Sequence, residues 1–542
     1  MALLLAAGSL AQAGDLRSEI DRYMQASVLA DHFMGAILVA QHGKIILARG
    51  YGKANIVLGT PNTPQTEFRI GSVTKEFTAT AILMLQQKGK LNYEDPVCKY
   101  VPDCPADWQP ITIYDLLTHT SGIPNFTSFP GYTDIEKKPI TPAALVGLFK
   151  DKPLDFKPGS GFSYSNSGFV LLGYIIERVS GETYEKFVDQ NILQPLGLSA
   201  TGYDNSHPAT STHAQGYAYT FKGYEPAPFV DMTVPYAAGA LYSNVLDLHK
   251  WDQALAAGNA LPPDLSAAML STHATMSPDV HYGFGWVISS LFGHKEDWHN
   301  GGIEGFTALN SWFPDDDAYV IVLDNTSCPD MDDIGRSLAA ILFGKPYDLP
   351  KLYAAIKLPP ASLQNYVGQY QLAPHFIITI RRTGDQLTAQ GTAQQAAPIL
   401  PASKDLFFFK VVHAELSFVR DARGQITGLV LHQGGRQTSA KRVSATVPAM
   451  PRGTSLPESV LDKYLGKYEL TPDFILTVTR MGDHLVVQAT GQGPLPFFAE
   501  SQTEFFARLI DAQITFVTDV KGETTGLVLH QGGRDLPAKR LN

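Results

Sequence analysis

The chain has 542 residues, of which 44% are hydrophobic and 17% charged, and it carries a formal net charge of -10. These are the proportions of an ordinary globular protein of about two to four domains. The negative balance argues against nucleic acid as a partner, and no apolar run is long enough to span a bilayer as a helix.

The first residues, M-A-L-L-L-A-A-G-S-L-A-Q-A, form an apolar stretch ending in Ala11-Gln12-Ala13, which fits a signal-peptidase site. Residues 1–13 are therefore expected to be a residual export signal whose basic leader lies upstream or was trimmed, with the mature chain starting near Gly14. The protein is expected to be exported, periplasmic or secreted from a bacterium. Asp15 to Ala30 has helical spacing. The apolar runs Gly35–Gln41 and Lys44–Arg49 flank His42-Gly43, a two-residue turn signal, and predict a hairpin.

Phe68 to Leu85 reads F-R-I-G-S-V-T-K-E-F-T-A-T-A-I-L-M-L and predicts a buried helix beginning near Ser72. Ser72 and Lys75, three apart, share one helix face, so the amine can reach the hydroxyl. Burial disfavours the ammonium, and a neutral amine can take the serine proton. The helix start adds N–H groups and a positive dipole end where an oxyanion would form. A bare Ser-x-x-Lys is more often an N-cap and a solvated lysine. Here the apolar context weighs against that reading, and the motif occurs once.

Cys98 and Cys104 lie close enough to pair in an oxidising compartment, leaving Cys328 free; three buried thiols are the equal alternative. Ile111–Pro124 predicts a short helix containing His119, read as a satisfied structural histidine. A Pro- and Gly-rich loop, Phe156 to Ser167, feeds a predicted helix over 168–179, followed by helices over 183–193 and 245–256. Tyr282 to Asn325 reads as antiparallel strands and Ile334–Phe343 as a closing helix, giving an α/β or α+β layer fold.

After a Pro-containing linker, Lys345 to Pro360, the sequence repeats. N-Y-V-G-Q-Y at Asn365 answers K-Y-L-G-K-Y at Lys463, and G-L-V-L-H-Q-G-G-R at Gly428 recurs at Gly526, both 98 residues on. A constant offset means two copies of one domain, each expected to be a small antiparallel barrel or sandwich. The expected organisation is a catalytic domain over 14–345 and β repeats over 360–443 and 458–542. His432 and His530 recur in turn context and read as structural.

No zinc signature, phosphate-binding loop or G-x-S-x-G elbow is present, and no cofactor is implied. A Ser-Lys pair often needs a further group to carry the proton to the leaving atom, and a tyrosine whose pKa is lowered by neighbouring cations can do so. Tyr-x-Asn occurs at Tyr164, Tyr203 and Tyr242, and Ser243-Asn244 also reads as a helix cap. The Gly-rich loop entering an apolar helix favours Tyr164.

F-R-I-G-S-V-T-K-E-F-T-A-T-A-I-L, L-L-T-H-T-S-G-I-P and F-K-P-G-S-G-F-S-Y-S-N-S-G-F-V-L-L-G-Y-I-I-E, in that order, resemble the serine β-lactamase and penicillin-binding protein superfamily over about Asp15 to Phe343. The likeness is to the branch with class C β-lactamases, D,D-carboxypeptidases, D-aminopeptidases and related esterases. The resemblance implies Ser72 as acylated nucleophile, Lys75 as its base partner, Tyr164 as proton relay and Asn166 as orienting amide. In place of the family's Lys-Thr-Gly stands His299-Asn300-Gly301 followed by Gly302, similar to the His-x-Gly variant of D-aminopeptidases and some esterases. It implies substrate contacts at His299, Gly301 and Gly302, with oxyanion donors at the Ser72 and Gly302 N–H groups. Losing the lysine removes a fixed cation that would hold a substrate carboxylate. A β-lactamase-like domain with two small barrels is similar to the architecture of D-aminopeptidases. The expectation is an exported serine hydrolase acting on a small peptide, amide or ester, a D-aminopeptidase-like enzyme first. The rivals are an esterase, a β-lactamase or D,D-carboxypeptidase, and a penicillin-binding sensor that acylates without turnover. If its imidazole lines the site, His299 is expected to switch the rate near pH 6.5.

Overall fold

The computed structural model describes residues 2–30, 33–129, 131–205, 212–220, 223–327, 331–373, 376–392, 394, 396–409, 414–433, 436–447, 454–471, 474–490, 494–507, 510, 512–531 and 534–541, with backbone alone at 2–14, 219 and 220. Two compact units result, residues 1–127 with 131–352, and residues 128–130 with 353–542.

The first unit is built on an eight-stranded antiparallel sheet. Its strands are β1 (Gly35–Gln41), β2 (Lys44–Tyr51), β3 (Ala274–Ser277), β4 (Val280–Tyr282), β5 (Val287–Leu291), β6 (His294–Ile303), β7 (Phe306–Phe313) and β8 (Ala318–Asp324), in the order β3-β4-β5-β6-β7-β8-β1-β2. The sheet thus joins the two ends of the unit, with Gly35 opposite Asp324 and Gln41 opposite Ala318. β8 is buried at every residue, as an unbroken apolar run requires of a strand covered on both faces. Helix α1 (Ala2–Leu29) contributes Ile20, Tyr23 and Met24 to a core with Ile37, Val39, Val320 and Val322, which the C-terminal helix of the unit completes with Ile334, Leu338 and Ile341. The export signal expected at residues 1–13 has its side chains outside the described residues. Among the described residues no helix is long and apolar enough to cross a membrane.

The predicted buried helix is α2 (Thr74–Gln87), with Ser72 on the single 3-10 turn Gly71–Val73 that leads into it. His119 lies just past α3 (Ile113–Leu117), a single turn closed by a Thr112–Asp115 capping box. The helix expected over 168–179 is α4 (Asn166–Ser180), which begins two residues early and puts Asn166 at its first position. The helix expected over 183–193 becomes Tyr184–Val188 continued by a π turn over Asp189–Leu193. Helix α5 (Val245–Ala256) has the expected bounds, with Asn244 Oδ1 accepting from the N–H groups of Leu246 and Asp247 at 3.0 and 2.8 Å. It lies against β1 and β8, and its Trp251 stacks on Phe77 of α2 at 4.3 Å. The closing helix, α6, spans Met331–Leu342. Cys98 and Cys104 are joined by a disulfide, and Cys328 lies outside the described residues.

The second unit contains two closed eight-stranded barrels, Gly368–Ser444 and Gly466–Leu541. The repeated motifs make matching bonds. Tyr370 and Tyr468 donate their hydroxyls to the carbonyls of Tyr366 and Tyr464, each at 2.8 Å. Arg442 and Arg540, from the recurring Lys-Arg pair, lie over the rings of Tyr370 and Tyr468 at 5.8 and 6.0 Å. His432 accepts or donates at Ser417 and His530 at Thr515, both at 2.9 Å, which fits their structural reading. The segment read as a linker is partly ordered on the first barrel, where Tyr353 stacks on Phe408 at 5.3 Å and the Ile356 N–H donates to the Pro401 carbonyl.

Candidate active site

Glycine lets β6 press against the turn that carries Ser72. A Cβ on Gly301 would come within 2.0 Å of the Ile70 carbonyl and 2.9 Å of the Ser72 nitrogen, and one on Gly71, whose φ is +49°, within 2.9 Å of the Gly302 nitrogen. Gly301 is buried by this approach, whereas Gly302 is exposed and walls, with Ser72, Asn166 and Gly239, a cavity of about 490 Å³. The two residues whose N–H groups are expected to form an oxyanion hole, Ser72 and Gly302, thus line one cavity.

Lys75, the second residue of α2, is completely buried. Its Nζ has three neighbours: Ser72 Oγ at 2.9 Å, Asn166 Oδ1 at 2.8 Å and the Ala238 carbonyl at 2.8 Å. Burial holds its pKa well below the ordinary lysine value. A neutral amine has two N–H bonds and one lone pair. Two of the three neighbours can only accept, so both N–H bonds go to them and the lone pair faces the serine hydroxyl. Asn166 is fixed in turn: Asn125 Oδ1 accepts from its backbone N–H at 3.1 Å, and its Nδ2 donates to Thr127 Oγ1 at 3.4 Å.

Of the three Tyr-x-Asn tyrosines the structure brings only Tyr164 to Ser72, to whose side chain it is hydrogen-bonded. Lys75 Nζ lies 4.9 Å from its ring centroid. Tyr203 instead donates to the Met232 carbonyl, and Tyr242 packs on Gly202; both wall a separate, larger cavity. The expectation that cations lower the pKa of the tyrosine is corrected. Burial raises it, and the hydrogen bond to Ser72 offsets only part of that. With a neutral Lys75 beside it, no fixed positive charge is there to favour phenolate.

His299 is 2% exposed and stands behind the tyrosine, outside the residues that wall the cavity. Its Nδ1 donates to the Asn300 carbonyl at 2.6 Å, which leaves Nε2 to accept from the Tyr282 hydroxyl at 3.1 Å. Burial, and then the neighbouring Lys75, lower its pKa to about 3. It is therefore neutral at ordinary pH, and the switch expected near pH 6.5 is corrected.

Several residues here carry no local sequence signal. His119, expected to be fully satisfied, accepts from the Ser165 N–H at Nδ1, but its Nε2 has no partner among the described residues. Its backbone is left-handed, with φ +58°, and its ring lies 4.4 Å from that of Tyr164 and 4.7 Å from that of Tyr282. Behind Lys75, Glu76 and Asp252 are both fully buried and share the Asn310 amide, while Trp251 Nε1 donates to Glu76 at 2.8 Å. Burial raises the pKa of both, and the charge of Asp252 adds to the rise at Glu76.

The family model described as Beta-lactamase matches residues 20–344, and that described as Domain of unknown function (DUF3471) matches 353–442 and again 451–540. Penicillin-binding protein 4* of Bacillus subtilis is 28% identical over 432 residues, covering 76% of this chain and 95% of its own. An octameric penicillin-binding protein homologue from Pyrococcus abyssi superposes with a TM-score of 0.57 at 27% identity, over 79% of this chain and 99% of its own. A D-stereospecific amidohydrolase from Streptomyces does so with a TM-score of 0.52 at 28% identity, over 57% of this chain and 94% of its own.

Proposed function

The chain belongs to the beta-lactamase family, and we propose that it is an exported serine hydrolase that cleaves an amide or ester through an acyl-Ser72 intermediate, D-amino-acid amides and short peptides being its first substrates. The observation that carries this reading is the coordination of Lys75 Nζ, whose two N–H bonds are held by Asn166 and Ala238 so that its lone pair faces Ser72 Oγ.

In this mechanism Ser72 Oγ attacks the carbonyl carbon as its proton passes to Lys75. The oxyanion accepts from the N–H groups of Ser72 and Gly302. Tyr164, kept neutral by burial, gives its phenolic proton to the leaving nitrogen and regains one from Lys75. The C–N bond breaks, the amine departs, and water attacks the acyl-serine by the reverse proton path. A neutral His299 in place of a lysine leaves no fixed cation there for a substrate carboxylate, which favours amidase or esterase chemistry over penicillin hydrolysis. The similarity to a D-stereospecific amidohydrolase supports the amide preference. The test is steady-state hydrolysis of a D-alanine anilide, a nitrophenyl ester and a chromogenic cephalosporin. Sustained turnover, fastest on the anilide and abolished in Ser72→Ala, is expected. A single stoichiometric burst with no steady rate would identify a sensor instead.

A further inference from the structure

Among the described residues, the Ser72 cavity is walled by one charged side chain, and it is negative: Glu304, on the turn between β6 and β7. No ion pair engages it among the described residues. Glu304 and Phe306 also wall a second cavity of about 940 Å³, so these two residues border both spaces. In the larger one Glu67, Glu185, Asp189 and Asp204 outnumber the cations Arg69 and Lys186. Those cations are already engaged, Arg69 with Asp204 at 2.7 Å and Lys186 with Glu182 at 3.1 Å.

A second carboxyl lies close by. Glu136 is 4% exposed, and its Oε2 has no partner among the described residues. Its N–H donates to the carbonyl of Tyr132, whose side chain walls the Ser72 cavity. Burial and the charge of Glu304 raise its pKa, and Lys137 offsets this only in part. Two carboxyls held near each other beside a reacting centre are relieved by a cation brought in by the ligand.

We infer that Glu304 holds a protonated amine of the substrate, with the rest of the substrate chain running into the larger cavity. This rests on the acyl-Ser72 reading and adds to it the class of substrate: a cationic amide or ester longer than one residue. The amine can belong to the α-carbon or to a side chain, and three nitroanilides separate these sources. D-alanine nitroanilide carries only the α-amine, Nα-acetyl-D-lysine nitroanilide only the side-chain amine, and N-acetyl-D-alanine nitroanilide neither.

A hydrogen bond to a charged group contributes on the order of 1.5–3 kcal/mol, roughly a tenfold or greater preference. In Glu304→Gln the ratio of kcat/KM for the preferred amine over the acetylated alanine substrate should fall by about tenfold. In Glu304→Lys it should fall below one. An unchanged ratio in both variants, with all hydrolysis still abolished by Ser72→Ala, overturns the inference and leaves the serine-hydrolase reading standing. If no nitroanilide turns over, slowing of fluorophosphonate labelling at Ser72 by D-alaninamide decides the point. Protection stronger than that by N-acetyl-D-alaninamide, and lost in Glu304→Gln, supports the inference; equal protection by both amides overturns it.

Discussion

In the proposed mechanism the chemistry depends on the protonation of Lys75, whose environment would set the pH behaviour. Burial lowers its pKa, so the reactive neutral amine persists well below pH 10.5. The rate should therefore rise with pH along a single acid limb that belongs to Lys75, and His299, with a value of about 3, should add no step near 6.5. His299→Gln keeps an acceptor for Tyr282 and should leave the position of that limb in a kcat/KM profile unmoved. Movement of the limb in this variant would assign it to the imidazole. Lys75→Ala and Tyr164→Phe should each cost roughly two to four orders of magnitude in rate, the range for a positioned acid or base. The spacing of Ser72 and Lys75 is legible in the sequence because residues three apart share one helix face whatever the rest of the fold does. Tyr164 is legible only by context. His119, Tyr282 and Glu304 come to the site through contacts between distant segments, which no local pattern encodes.

At the scale of elements, the site depends on how closely β6 approaches the Ser72 turn and on the polar cluster behind α2. Gly301→Ala would force a methyl to within 2.0 Å of the Ile70 carbonyl, so the strand must retreat and carry the Gly302 N–H with it. Loss of one such donor costs about 100- to 1,000-fold in kcat, and a fall of that size with folding intact is the expected result. The Glu76–Asp252 pair makes a separate prediction about stability. Both folded pKa values are raised above the unfolded ones, so each carboxyl binds more protons when folded. Their favourable contribution is complete below the unfolded value of about 4 and is lost as pH rises through the folded value. Asp252→Asn, whose amide oxygen can still face Asn310, should remove part of that loss. Its stability relative to the parent should rise as pH climbs above the unfolded value of about 4, read in denaturant titrations. A constant difference across pH would count against raised folded values for this pair. Strands and long helices are legible through their apolar runs; the Ser72 turn is not, because its 3-10 geometry follows from the packing of β6 against Gly71.

At the scale of the molecule, the division of labour follows from the repeat. Matching Tyr and Arg contacts give Tyr370 and Arg442, which recur 98 residues on as Tyr468 and Arg540, a structural role in each barrel. The first unit has its own core, in which α1 and α6 pack on the sheet from the two ends of that unit. A chain ending near Lys345 should therefore fold and retain a reactive Ser72. Loss of reactivity in a folded shortened chain, checked by circular dichroism, would mean that the barrels complete the site.

The central claim is that a neutral Lys75 makes Ser72 the nucleophile, and mapping a covalent label tests it most directly. The full chain is treated with a fluorophosphonate probe at pH 7, digested and sequenced by mass spectrometry, with Ser72→Ala and Lys75→Ala alongside. The account predicts one adduct, on the peptide containing Ser72, absent in the first variant and slowed at least a hundredfold in the second. An adduct on another residue, or undiminished labelling of Ser72 without Lys75, would contradict it.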